Sequence, residues 1–290
     1  MRFLLQERSK KKMDENKKGW WNTEIIDVKP NKIIISGYHI QDLMGRVSYG
    51  EMLYLMIMGR LPQETAGKLI DAVLVAACDQ GVISPAITAS CMAATCGVTF
   101  NSAIASGMNL LGKIHGGAIE DAMEVFYEVV SRAEKEGKTI KEIALDISKK
   151  YKEAKKFMPG YGHPVHKEDP RTTRLWKMAE YFVKKGEISG KYVEAAQSIY
   201  EAMKEISGKH LTINVDASAA AILCELGIPS ETASGVICLS RGLGLLAHAY
   251  EEIKFGKRMK APMPPDLLNE HMTYSGPAPR ELPAERRNLP

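Results

Sequence analysis

The run from Met158 to Arg171, MPGYGHPVHKEDPR, concentrates side chains able to do chemistry. Pro159 and Gly160 end the preceding helical stretch, and the flexible Gly160, Tyr161 and Gly162 deliver the imidazole of His163 and the guanidinium of Arg171 to one loop. Those two groups are the donor set for a small polycarboxylate, because a planar guanidinium forks onto a carboxylate through two parallel hydrogen bonds. His163, His166, Glu168 and Asp169 also admit a metal reading. Their spacing matches no helical zinc motif, and Pro164 and Pro170 hold the segment extended, so no metal is expected.

Three other stretches bear on this loop. His115 stands in Ile114 to Ala118, IHGGA, just before a helix start, where unpaired N–H groups and the positive dipole end keep an imidazole neutral and able to donate. A histidine simply packed at a helix start has the same sequence. Asn214 and Asp216 flank Val215 at the head of an Ala-rich helix, where both are favoured cap types. Arg241 interrupts the apolar stretch from Ile237 to Leu246, and a lone cation there requires a ligand or an acidic partner.

The order His115, His163, Asp216, Arg241, with the wording PGYGHPVHKEDPRTTRL from Pro159 to Leu175, resembles the citrate synthase superfamily from about Ile33 to Pro277. Within it the chain is most similar to the short citryl-CoA lyase branch, related to the carboxyl-terminal module of ATP-citrate lyase. The resemblance implies a mainly α, citrate synthase-like fold, with a large helical domain (residues 22–118 and 223–277) and an inserted small mobile helical domain (residues 119–222). It implies cleavage of citryl-CoA to acetyl-CoA and oxaloacetate. Condensation to citrate or a 2-methylcitrate-type product is the alternative, and a non-catalytic subunit beside a ligase-type partner is a second.

Making or breaking a carbon–carbon bond next to a thioester needs a base for the thioester methyl, a donor for the enolate oxygen and a donor for the electrophilic carbonyl. The resemblance assigns these to Asp216, His115 and His163. Asp216 acts as acid in the cleavage direction, and partial burial raises its pKa toward that use. Arg171 and Arg241 become carboxylate clamps, with Gln80 and Asn214 beside them as substrate-binding residues. The backbone of Pro159, Gly160, Tyr161 and Gly162 contacts coenzyme A, with Lys155, Lys156 and Lys167 as nearby charges. Coenzyme A enters as a thioester substrate, and no permanently bound cofactor is implied.

The chain departs from these relatives at three points. Cys78 to Gly81 reads CDQG where the lyase branch has Asp-His-Gly, and Gln80 carries no charge at any pH, so carboxylate binding there weakens. Ser36 stands where many citrate synthases carry arginine, and the tail arginine is replaced by Ala261 in APMPP, leaving Arg258 or Arg280 to move in.

Composition sets the outer limits. With 290 residues at 45% hydrophobic, the chain can bury a large core. Lys plus Arg of 39 against Asp plus Glu of 35 gives a net charge of +4, too even for a nucleic-acid partner yet suited to anionic ligands. Five cysteines in apolar surroundings read as reduced core thiols of a cytoplasmic protein. No apolar run approaches the roughly 18 residues that span a bilayer. Expected partners are therefore citryl-CoA, acetyl-CoA and oxaloacetate, a second copy in a homodimer or dimer-based homo-oligomer, and a citryl-CoA synthetase. Residues 1–21 read as a disordered basic extension and residues 278–290 as a proline-rich tail.

Helical periodicity supplies the scaffold. Ile119, Ala122, Met123, Phe126, Val129, Val130 and Ala133 line one face of a helix stopped by Gly137. Further helices are expected around residues 140–147, 172–186, 192–206 and 216–226, and a long one after Pro229 ending near Phe255. Lys32 to Ser36 is the one strand-like run, in a hairpin, and a helix follows Asp42 and Leu43 and ends at Gly59.

Overall fold

The computed structural model describes residues 21–63, 66–163, 166–208, 211–263, 267, 273, 275–278 and 280–281. The basic extension up to residue 20, and most of the tail with Tyr274, lie outside the described residues.

A small antiparallel sheet comes first: β1 (Ile26–Lys29), β2 (Lys32–Ile35) and β3 (Tyr38–His39), in the order β1-β2-β3. Ile26 faces Ile35 and Ile34 faces His39 in the register. The expected strand is the middle one. Its neighbours are less apolar and only four and two residues long.

Eleven α-helices follow among the described residues, which makes the chain mainly α: α1 (Ile40–Leu43), α2 (Tyr49–Met58), α3 (Ala66–Ala77), α4 (Pro85–Thr95), α5 (Phe100–Met108), α6 (Ala118–Glu136), α7 (Ile140–Glu153), α8 (Pro170–Lys184), α9 (Lys191–Ser207), α10 (Val215–Glu225) and α11 (Ala233–Phe255). Their ends obey local chemistry. Ser48 with Glu51 and Thr139 with Glu142 form capping boxes on α2 and α7. Gly59 and Gly137 close α2 and α6 in the left-handed region, at φ 70 and 63. Pro229 leads into a 3-10 turn, Ser230–Thr232, before α11, and the Ser230 hydroxyl is held by the Glu124 carboxylate.

The chain divides into two compact units, residues 1–80 with 108–244 and residues 81–107 with 245–290. In the first, α6 packs on α10 and α7, while α9 packs on α7 and α10. Ile119, Met123 and Phe126 of α6, Ile143 of α7, Ile199 of α9 and Ile222 of α10 are fully buried there. Each such side chain contributes about 1.5–3 kcal/mol. In α10 the small residues Ala217, Ala219, Ala220 and Ala221 are also buried, which lets its neighbours approach closely. In the second unit Ser90 Oγ donates to Leu245 O at 3.2 Å, and the Met259 and Lys260 amides bond to Thr95. No helix among the described residues is long and apolar enough to cross a membrane. Every candidate site residue lies in the first unit.

Candidate active site

The glycine loop is stitched to the head of α10. Gly160 sits at φ 85, and a Cβ there would lie 2.6 Å from Ala217 Cβ and 2.9 Å from Ala217 N, so the approach admits glycine alone. Tyr161 and Ile213 form an antiparallel bridge. Asn214 N donates to Gly160 O at 3.1 Å, Gly162 N to Thr212 O at 2.7 Å, and Asn214 Nδ2 to Gly162 O at 3.0 Å. Asn214 Oδ1 meanwhile accepts from Asp216 N at 2.9 Å and Ala217 N at 3.4 Å. Asn214 is thus the amino-terminal cap of α10 through Oδ1, while one Nδ2–H ties it to the glycine loop. Tyr161 turns its hydroxyl away from the loop to Ala196 O at 2.6 Å, and burial pushes its phenol well up. Among Pro159 to Gly162, what reaches the loop surface is chiefly backbone.

His163 follows directly. His166 N donates to His163 Nδ1 at 2.9 Å, so the neutral ring carries its proton on Nε2. The two imidazoles lie 4.5 Å apart. Burial first, then the His166 and Arg171 charges, hold His163 below the usual imidazole range, with Asp169 opposing. Thr212 Oγ1 fixes the far side by donating to His166 O at 2.9 Å and Lys167 O at 2.8 Å.

His115 occupies a tight turn in which Gly112 N donates to His115 O at 2.8 Å. A Cβ on Gly117 would lie 2.7 Å from Lys113 Cα, so glycine is required there too. The ring is held below its ordinary pKa by burial and then by the Arg241 charge, and α6 begins at Ala118, where it was expected.

Two arginines complete the cluster. Arg241 is 7% exposed, with Nε donating to Ala77 O at 3.0 Å and Nη1 to Gln80 Oε1 at 3.1 Å. Gln80 uses its carbonyl on the arginine and keeps its NH2 as a donor for a ligand. Arg171 forks onto Asp169, Nε to Oδ1 at 3.0 Å and Nη2 to Oδ2 at 2.8 Å, leaving the Nη1 end of the guanidinium for a ligand carboxylate. That fork escaped the sequence reading, although an Asp at a helix start followed by Pro170 signals a cap. Asp216, half-buried in the first turn of α10, is pushed above the carboxylate range by burial, with Arg171 and Arg241 opposing and Asp169 assisting.

These electrostatic couplings place Asp216 with Arg171 and Arg241, His115 with Arg241, and His163 with Arg171 and Asp169. One half-buried carboxyl of raised pKa, two neutral imidazoles and two guanidiniums can serve enolate chemistry on a polycarboxylate. Next to Pro159 opens a groove of about 1400 Å³ whose lining mixes Lys113, Lys135, Lys155 and Lys156 with Asp121, Glu124, Glu128, Glu134 and Glu231, and in which Phe157 is 96% exposed; none of the five cluster side chains lines it. Among the described residues no group of three His, Cys, Asp or Glu could hold a metal ion.

Comparison with known proteins gives this cluster a context. The family model for the citrate synthase C-terminal domain matches residues 62–261. The citryl-CoA lyase structure from Hydrogenobacter thermophilus superposes with a TM-score of 0.81 at 34% identity, covering 92% of this chain and 99% of that one. The citrate synthase of Saccharolobus solfataricus is 27% identical over 229 residues, 78% of this chain but 59% of its own length, so the chain spans little more than half of that relative. An ATP citrate lyase structure from Methanothrix soehngenii, in complex with citrate and coenzyme A, shares the fold at a TM-score of 0.74 and 21% identity, over 96% of this chain and 44% of that one. The protein is an enzyme of the citrate synthase and lyase class, and the chain belongs to the citrate synthase family.

Proposed function

We propose that this protein is a citryl-CoA lyase, cleaving citryl-CoA to acetyl-CoA and oxaloacetate. The observation that carries the reading is Asp216, a carboxyl raised by burial between two guanidiniums. In the cleavage direction it must begin as an acid, and burial favours that form.

As the carbon–carbon bond breaks, its electron pair becomes the enolate of the acetyl thioester. His115 donates to the enolate oxygen, and Asp216 delivers its proton to the enolate carbon. The citryl hydroxyl releases its proton to solvent as it becomes the oxaloacetate carbonyl, neutral His163 donates its Nε2–H to that oxygen without adding charge, and Asp216, left as a carboxylate, regains a proton from solvent. Arg241 and the open end of Arg171 take carboxylates, with the Gln80 NH2 beside Arg241. Asn214 acts through Asp216, whose helix it caps.

Coenzyme A lies along the backbone of Pro159, Gly160, Tyr161 and Gly162, its phosphates toward Lys155 and Lys156 in the adjoining groove. Residues 22–118 and 223–277 form the large domain and residues 119–222 the small mobile one. The working unit is a homodimer or dimer-based assembly in the cytoplasm, supplied by a citryl-CoA synthetase. Five free cysteines suit a reducing compartment.

The same constellation run in reverse is a synthase for citrate or a 2-methylcitrate-type product. The 34% identity to the lyase structure, against 27% to the synthase, supports cleavage. Purified protein incubated with citryl-CoA decides the matter. Oxaloacetate plus acetyl-CoA supports the lyase, citrate plus free coenzyme A refutes it in favour of a synthase owning the hydrolytic step, and no product moves weight to a non-catalytic subunit.

A further inference from the structure

Asp169 has no assigned role, yet its side chain is fully shielded from solvent while that of its partner Arg171 remains 25% exposed. As the cap of α8 it needs one oxygen, and Oδ1 meets that need by accepting from Arg171 N at 3.0 Å. Serine, threonine or asparagine would cap as well without burying a charge. The remaining capacity goes to the two-point fork on Arg171. A bidentate pair fixes the guanidinium plane as well as its position, which a single bond does not. It occupies the Nε side of the fork, and that orients the Nη1 end outward. The same carboxylate acts electrostatically on His163 and Asp216.

We infer that Asp169 is a positioning residue that sets the Arg171 guanidinium for a substrate carboxylate. The inference rests on the reading of Arg171 as a clamp given above. Losing the Asp169 charge frees the arginine to rotate and also makes protonation of His163 less favourable, which moves the acid limb of the kcat/KM profile to lower pH.

The test is a double-mutant cycle of Asp169→Asn and Arg171→Gln in the full chain, reading Kd for oxaloacetate by calorimetry together with kcat and KM for citryl-CoA. Asparagine keeps the cap, and Asp169→Ser is a second capping variant that cannot fork should the first fold poorly. The expected result is about a tenfold rise in Kd and KM for Asp169→Asn with kcat changed less than threefold, an acid limb moved to lower pH, and a double variant no weaker than Arg171→Gln. Equal losses from Asp169→Asn with and without Arg171 would overturn the positioning role while leaving the clamp standing. An unchanged Kd in Arg171→Gln would overturn the clamp and the inference together.

Discussion

Gly160→Ala probes how the proposed acid is held. At φ 85 an L-residue loses about 1–2 kcal/mol relative to glycine. The added Cβ would lie 2.6 Å from Ala217 Cβ and 2.9 Å from Ala217 Cα and N, all backbone or near-backbone atoms that cannot swing aside. Overpacking of that kind costs about 1–3 kcal/mol more. A combined loss of about 2–5 kcal/mol lowers Tm by about 4–10 °C in a chain of this size. Relief of the clash also pushes the first turn of α10 outward, and a displacement near 1 Å at Asp216 lowers kcat by about 10²-fold. Gly137→Ala is the control, because Gly137 has φ 63 and no atom within 4 Å of its built Cβ. It should lose only the backbone strain and keep native turnover. Differential scanning calorimetry and a coupled oxaloacetate assay measure both quantities. A Gly160→Ala protein matching Gly137→Ala in both Tm and kcat would refute the argument that this glycine sets the position of the acid.

Three other outcomes are expected. Asp216→Ala lowers carbon–carbon bond cleavage by about 10²–10⁴-fold with an unchanged circular dichroism spectrum, and near-native turnover would remove its role. Because His115 and His163 are both held below the usual imidazole value, their neutral forms persist as pH falls through about 6.5, so loss of kcat/KM through imidazole protonation begins only at lower pH; an acid limb at or above 6.5 contradicts this. Glu225 accepts from Ser189 Oγ at 2.7 Å, Gly190 N at 3.0 Å, Tyr192 N at 2.8 Å and Val193 N at 3.3 Å, capping α9 from a distance. Glu225→Ala should cost about 1–3 kcal/mol in thermal unfolding with KM unaltered.

From α6 onward the helices were legible because burial and periodicity agree: Ile119, Met123 and Phe126 repeat at helical spacing and are buried in α6; α3, α4 and α5 were not, α4 for instance running PAITASCMAAT, whose small residues leave no apolar stripe. The first and third strands were not, since β1 alternates Ile26, Asp27, Val28, Lys29 over only four residues, none of them buried, and β3 is two residues long. For the candidate site, residue types and order named the chemical groups but could not apportion their hydrogen bonds. Asn214 was read as a substrate-binding residue with a helix cap as the alternative, and the two amides on its Oδ1 add the cap, which residue type alone could not apportion. The Asp169–Arg171 fork is a matter of side-chain direction at a helix start. The neutral state expected of His115 from its place before a helix is also favoured by burial and by Arg241, distant in sequence, whose charge no local pattern reveals.

The bridge between Tyr161 and Ile213 constrains how the pocket can breathe. With Gly162 N held by Thr212 O and Asn214 N by Gly160 O, the loop cannot swing without unzipping a ladder that also leads into α10. His163 and Asp216 therefore travel as one rigid cassette. Admission of a bulky thioester falls to walls outside that cassette, and the amides of Gly162 and Asn214 should exchange with deuterium as a single cooperative event.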